Sequence, residues 1–316
     1  MTIALVTHPA CLDHDTGPGH PEHADRLRAV LAALGEERFP NLLRLEAPRA
    51  VAAQLEAAHS AQHVARIMGI DVPQGAIAAL DADTIVSAGS VEAALRAAGG
   101  AVLAVDLVME GKAGAAFVAV RPPGHHAEPG RAMGFCLFNN VAVAAQHARS
   151  RWALRRIAVA DFDVHHGNGT QDAFWDDPEL FFASTHQSPF YPGSGDRHER
   201  GAANNIANAP LAAGSGSEAF RRAWRDDLLP ALDAFAPELL IISAGFDAHR
   251  RDPLAQLMLD TDDYAWITGE LVALAGRHAR GRVISQLEGG YDLTALAECS
   301  AAHVQALYGS GSATPS

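Results

Sequence analysis

The chain has 316 residues, 48% of them hydrophobic, which is enough for one large α/β domain with a sizeable core or for two small ones. Its formal net charge of -13, from 24 Lys and Arg against 37 Asp and Glu, repels phosphate backbones and favours cations, so nucleic acid is not expected as a partner. Cys11, Cys136 and Cys299 lie far apart with no C-x-x-C pair, which speaks against a disulfide framework or a thiolate metal site and for a reducing compartment.

The first strand is expected at Ile3–Thr7, an apolar run that ends at His8 and Pro9 without the basic lead or length of a secretory signal. Gly89–Met109 reads as a packed helix, or as a helix pair broken near Gly99 and Gly100, because Glu92, Arg96 and Asp106 would each be expensive in a bilayer. A strand at Ala116–Val120 and a helix at Asn140–Arg149 follow, then strands at Ile157–Ala160 and Leu180–Ala183. The helix Glu218–Phe235, with Ser215 and Glu218 as its capping box, precedes a strand at Leu239–Ser243, a helix at Asp262–Arg277 and a strand at Val283–Leu287. No linker-like run and no repeat divides the chain, so residues 1–308 are expected to form one domain, with 309–316, "GSGSATPS", a disordered tail. Strands alternating with helices imply a mainly parallel sheet covered on both faces, in a cytoplasmic protein without a membrane span.

In such a sheet, ligands bind beyond the carboxyl ends of the strands. Four polar clusters sit there: "RPPGHH" after Ala116–Val120, "DFDVHHGNG" after Ile157–Ala160, "GFDAH" after Leu239–Ser243 and "EGGY" after Val283–Leu287. Asp163 and His165, two apart at a strand end, can face one way, and Asp247 supplies a third ligand. Two carboxylates and one imidazole suit zinc with an open position, although iron, cobalt or another divalent metal also fits this donor set. A single D-x-H would more often cap a turn, but this many polar groups at strand ends are costly to bury without function. His125 and His126, presented from a Pro-restrained loop, are candidate acid/base groups, and Asp161 can anchor one of them. His166 reads as a satisfied core histidine. Tyr291, after two glycines, can aim a phenol at a developing oxyanion.

These segments, with "RPPGHHAEP", "GFCLFNN", "DFDVHHGNGTQ", "SAGFDAH" and "LEGGYD" in order along nearly the whole chain, resemble the histone deacetylase and acetylpolyamine amidohydrolase family, and its class-two branch in particular. The resemblance implies an arginase-like three-layer α/β/α domain with a mainly parallel sheet of about eight strands. It implies a zinc-dependent amidohydrolase that removes an acetyl or other short acyl group from an amine, with Asp163, His165 and Asp247 on the metal and Tyr291 polarising the carbonyl. By similarity His126 is the general base and acid, while His125, paired with Asp161, acts electrostatically. Phe135 and Tyr191, with Gly134 and Gly289, would line a narrow channel, and Leu254 would stand near its rim. A structural potassium is implied at Asp161, Asp163, His165, Ser184 and Thr185, and a second at Phe174, Asp177 and Leu180. Leu254 replaces the acidic gatekeeper of eukaryotic polyamine deacetylases, so Glu22, Asp83 or Glu128 is the alternative carboxylate at the entrance.

The implied partner is a small-molecule or peptide acylated amine, with self-association left open. An arginase-like ureohydrolase would need a second bridging carboxylate where Gly167 stands and an Asp where His249 stands, so one metal is the better count. A binding module that does not cut is opposed by the intact Tyr291 and histidines, and a zinc peptidase by the lack of H-E-x-x-H.

Overall fold

The computed structural model describes residues 1–309, and the expected tail from residue 310 onward lies outside them. Among the described residues ten strands run in chain order: β1 (Ile3–Thr7), β2 (Leu42–Glu46), β3 (Ile77–Ala79), β4 (Ile85–Ser87), β5 (Ala115–Val118), β6 (Ile157–Asp161), β7 (Leu180–Gln187), β8 (Ile206–Leu211), β9 (Leu239–Ala244) and β10 (Val283–Leu287). Eight of them form one sheet in the order β2-β1-β5-β10-β9-β6-β7-β8, with β3 and β4 as a separate antiparallel pair. Every pairing in the large sheet is parallel. Parallel strands need long crossovers, which the intervening helices supply.

Consecutive residues of the central strands face opposite helical layers, as the pleat requires. Phe117 of β5 and Ser285 of β10 meet His303 of the helix Leu293–Leu307, whose ring centroid lies 5.4 Å from Phe117 and whose Nε2 lies 2.8 Å from Ser285 Oγ. Val118, one residue on, packs under Gly100 of the helix Ser90–Met109 on the other side. Strands buried on both faces read as continuous apolar runs, and β5, β6, β9 and β10 are buried throughout. This is the expected three-layer α/β/α architecture with an eight-stranded sheet.

Several local expectations change. Ser90–Met109 is one unbroken helix of 20 residues, and its glycines serve packing. A Cβ on Gly99 would strike the Pro48 carbonyl, and one on Gly100 would sit 3.0 Å from Val118 Cγ1, so both let the helix approach its neighbours closely. The span expected as one helix over Glu218–Phe235 is Ser217–Ala223 and Leu229–Phe235 joined by a π-helical turn at Trp224–Leu228. Gly216 is its N-cap without a side-chain bond, so Ser215 and Glu218 form no capping box. The box belongs instead to Asp260 and Asp263 at the start of the helix Thr261–His278, where Asp263 Oδ2 accepts from the Asp260 amide at 3.0 Å.

Candidate active site

The four loops singled out in the sequence follow β5, β10, β9 and β6, which are four contiguous strands at the centre of the sheet. Their convergence is therefore a matter of strand order. Asp163 and Asp247 are fully buried, and with His165 each offers one ligand atom within 4.8 Å of the others, the one such cluster of three among the described residues. His165 Nδ1 lies 3.1 Å from Asp163 Oδ1 and 3.1 Å from Asp247 Oδ2. Backbone amides hold the carboxylates: Asp163 accepts from His165 N at 2.8 Å and Gly289 N at 2.8 Å, and Asp247 from Val164 N at 2.9 Å. The oxygen and nitrogen donors, three in number and amide-braced, fit a catalytic zinc that keeps one position open.

The electrostatics of the cradle demand a cation. Burial opposes charge on His165, but the hydrogen bonds and charges of Asp163 and Asp247 outweigh it and lift the imidazole to about 10. The imidazolium thus stands in for the positive charge of an ion. Burial would raise Asp163 too, yet His125 and His165 hold it well below the usual carboxylate range. Asp247 is raised, by burial first and by Asp163 second. Glycines close the cradle: a Cβ on Gly245 would strike Asp163, and one on Gly289 would strike Asp247. Gly289 is therefore part of the ligand scaffold.

Beside the cradle the two adjacent histidines part company. His125 Nδ1 lies 3.0 Å from Asp161 Oδ2, whereas His126 Nδ1 lies 2.8 Å from Asn168 Oδ1, and the rings are 4.0 Å apart. Burial disfavours charge on both. For His125 the carboxylates of Asp163 and Asp161 prevail and lift it to about 10. For His126 the charges of His125 and His165 reinforce burial and keep it neutral, well below its ordinary value. One member is held as a cation and the other as a free base. Their loop is clamped by Glu288, whose Oε2 accepts from Gly124 N at 2.6 Å and His125 N at 3.1 Å. His166, as expected, is a core histidine satisfied by Ser194 Oγ and Gln171 Oε1.

Residues 20–307 match the histone deacetylase domain. The chain is 36% identical over 303 residues to a probable deacetylase of Archaeoglobus fulgidus, covering 93% of this chain and 82% of that one. It is 38% identical over 301 residues to a histone deacetylase-like amidohydrolase of Pseudomonas aeruginosa, covering 93% and 78%. The crystal structure of the HDA15 HD domain superposes with a TM-score of 0.90 at 33% identity, covering 99% of this chain and 90% of that one. The chain belongs to the histone deacetylase family.

Family membership makes this a hydrolase, and it directs attention to the walls around the cradle. Phe190 stacks on His165 with centroids 5.2 Å apart, Tyr191 stands edge-on to His126 at 5.3 Å, and Phe135 meets Tyr291 at 6.0 Å. Phe190 is the wall residue that sequence reasoning missed. Phe135 holds the left-handed φ of 68°, and Gly134 presses its Cα against the His126 ring, where a Cβ would lie 2.5 Å from Cδ2. Tyr291 and Leu254 border a groove of about 590 Å³ shared with Pro18, His20 and Pro253. Burial pushes the Tyr291 phenol well above its ordinary value, with the Arg26 guanidinium, 4.8 Å over the ring, opposing the shift, so the hydroxyl stays a donor.

Of the three carboxylates weighed for the entrance, Glu22 is ruled out. It is fully buried and bound by Arg121 Nε at 2.5 Å and Arg26 Nη1 at 2.8 Å. Arg26 also donates to the Gly290 and Glu288 carbonyls of the "EGGY" loop, and because Arg121 of the histidine-pair loop shares the Glu22 carboxylate, Glu22 links the two loops. Asp83 is half-buried and accepts from Gly134 N at 3.2 Å, and Glu128 is bound to Asn168.

Residues for the first structural cation are present in kind. Asp161 pairs in register with Ser184, and carboxylate and hydroxyl oxygens suit a hard ion, while the Thr185 hydroxyl is committed to Trp224 Nε1 at 3.1 Å. The second potassium position does not fit. The carbonyls of Phe174, Asp177 and Leu180 do converge, but on the Asn205 carboxamide, whose Nδ2 donates to them at 2.8, 3.1 and 2.9 Å. A side-chain amide fills the place of the ion. The ureohydrolase alternative fails on space as well, since any side chain at Gly167 would strike Asp161.

Proposed function

We propose that this histone deacetylase family member is a zinc-dependent amidohydrolase that removes an acetyl or other short acyl group from an amine, in acetyl-lysine or an acetylated polyamine. The observation that carries the reading is the Asp163–His165–Asp247 cradle set beside a histidine pair whose Nδ1 atoms face unlike partners, the Asp161 carboxylate and the Asn168 carboxamide. A divalent ion held by those three residues would supply Lewis acidity and lower the pKa of water.

The chain's own groups do the rest. His126, neutral and held by Asn168, takes a proton from the attacking water and returns it to the departing amine. His125, held positive by Asp161 and Asp163, stabilises negative charge as it develops. Tyr291 donates to the oxyanion. The aromatic walls Phe135 and Tyr191 admit an unbranched aliphatic stem, and the negative surface attracts an amine-bearing substrate while repelling nucleic acid. No described helix is long and apolar enough to cross a membrane, and Cys11, Cys136 and Cys299 are buried free thiols, which suits a reducing compartment.

The test is metal analysis of the purified protein with a deacylation panel of acetyl-lysine peptides, acetylputrescine, acetylspermidine and small anilides. Release of the acyl group by zinc-loaded protein supports the reading. A metal-loaded protein inert on all of them refutes it.

A further inference from the structure

His125 and His126 differ in what their Nδ1 atoms face, and the difference leaves one of them with a problem. Asp161 can only accept, so whichever oxygen it presents, the proton of His125 stays on Nδ1. Asn168 has two unlike ends. With Oδ1 toward His126 it accepts, holding the proton on Nδ1 and leaving Nε2 with a lone pair. With Nδ2 toward His126 it donates, driving the proton onto Nε2 and removing the acceptor. A second contact must decide which end faces the imidazole.

That contact is Glu128. Its Oε1 receives Asn168 Nδ2 at 2.9 Å on the side of the amide away from the imidazole, and Arg131 Nη2 reaches the same carboxylate at 3.1 Å. The remaining neighbours of Nδ2 are acceptors too: the His126 carbonyl and Met133 Sδ, each at 3.4 Å. Reversing the amide would set its oxygen against all three and break a charge-assisted hydrogen bond. We propose that Glu128 is a positioning residue that, through Asn168, fixes the proton of His126 on Nδ1 and keeps Nε2 ready to accept one. The proposal rests on the hydrolase reading for its catalytic consequence, but not for the tautomer itself.

The placement of Glu128 makes it testable. Its side chain is 28% exposed and borders a groove of about 500 Å³ with Asn168, Gln171 and Asp172, so truncation opens it to solvent and leaves no internal void. Two readouts are needed: kcat and KM on a substrate found in the panel, and nitrogen-15 NMR of His126 in the metal-free protein, assigned against His126→Gln.

In Glu128→Ala, kcat is expected to fall on the order of tenfold with KM within about twofold, and the His126 signals to shift toward the Nε2–H form. Glu128→Gln, which keeps an acceptor but loses the charge, should fall between. In an Asn168→Asp background, where the partner can only accept, adding Glu128→Ala should cost nothing further in either readout. An unchanged tautomer in Glu128→Ala, or an equal loss of kcat in both backgrounds, overturns the proposal. If the wild type cleaves no amide but Glu128→Ala still shifts the tautomer, the hydrolase reading fails while the positioning role stands.

Discussion

Two nests of converging oxygen atoms lie in this molecule, and they solve the same problem differently. At the carboxyl ends of β6 and β9, Asp163 and Asp247 bring two negative charges into a buried space, braced by amides and shared by one imidazole. Beneath β7, the carbonyls of Phe174, Asp177 and Leu180 bring only dipoles together, and the neutral amide of Asn205 satisfies them. Formal charge decides which nest must recruit an ion from solution. Dipoles can be answered from within the chain, whereas a buried pair of carboxylates needs a cation, whether metal or imidazolium.

The largest test of this contrast removes the charge. Asp247→Ala should abolish stoichiometric zinc and reduce deacylation by at least about 10³-fold, as read by metal analysis and kcat/KM. Retained metal together with retained activity would show that the cradle is not the site. Next in size, Tyr291→Phe should keep the metal and lower kcat by roughly 10²- to 10³-fold with little change in KM. A large rise in KM at constant kcat would make Tyr291 a binding residue only.

On the neutral side, Asn205→Ala strips three carbonyls of their donor and should cost about 2 kcal/mol in denaturant unfolding. Potassium should restore part of that loss in the variant yet leave the wild-type midpoint alone at matched ionic strength. Equal potassium dependence in both proteins would mean that Asn205 does not replace an ion.

The smallest effect concerns protons. His165 is raised from about 6.5 unfolded to about 10 folded, so its stabilisation of the metal-free protein is complete below 6.5 and is lost as pH rises toward 10. The raised pKa of Asp247 acts in the same direction, and the lowered pKa of Asp163 acts only in acid. Metal-free protein should therefore weaken between pH 6.5 and 10 relative to the zinc-loaded form. Near pH 8, zinc uptake should release about one proton, detectable by calorimetry in buffers of different ionisation enthalpy. Proton-neutral uptake would contradict the imidazolium at His165.

Much of the site was legible because its ligands sit in compact motifs at strand ends. Asp163, His165 and Asp247 come together as expected, as do the His125–Asp161 pair and the satisfied His166. What the residues alone hid were partners defined by space. Asn168 and Glu128 belong to motifs that resembled the family's, yet nothing in their spacing shows that one orients the other. Glu288, Arg26 and Arg121 form buried bridges between loops far apart in the chain, and Glu22, one of the carboxylates considered for the entrance, is locked inside them. Among the strands, β2 and β8 escaped notice because they lie at the two edges of the sheet. β2 alternates its leucines with charge, and β8 carries Asn208 and Pro210, a proline tolerated at an edge. β7 ran past its expected end because Ser184, Thr185, His186 and Gln187 are buried despite their polarity.

The contiguity of β5, β10, β9 and β6 has a bearing on folding. Neighbours in that block are separated by long stretches of chain, and β5 pairs with β10, more than half the sequence away. Such distant pairings are slow to close. Capacity to capture zinc should therefore arise late in refolding, after most helical signal has returned, and a chain stopped before β10 would lack Tyr291 together with the amide of Gly289 that braces Asp163.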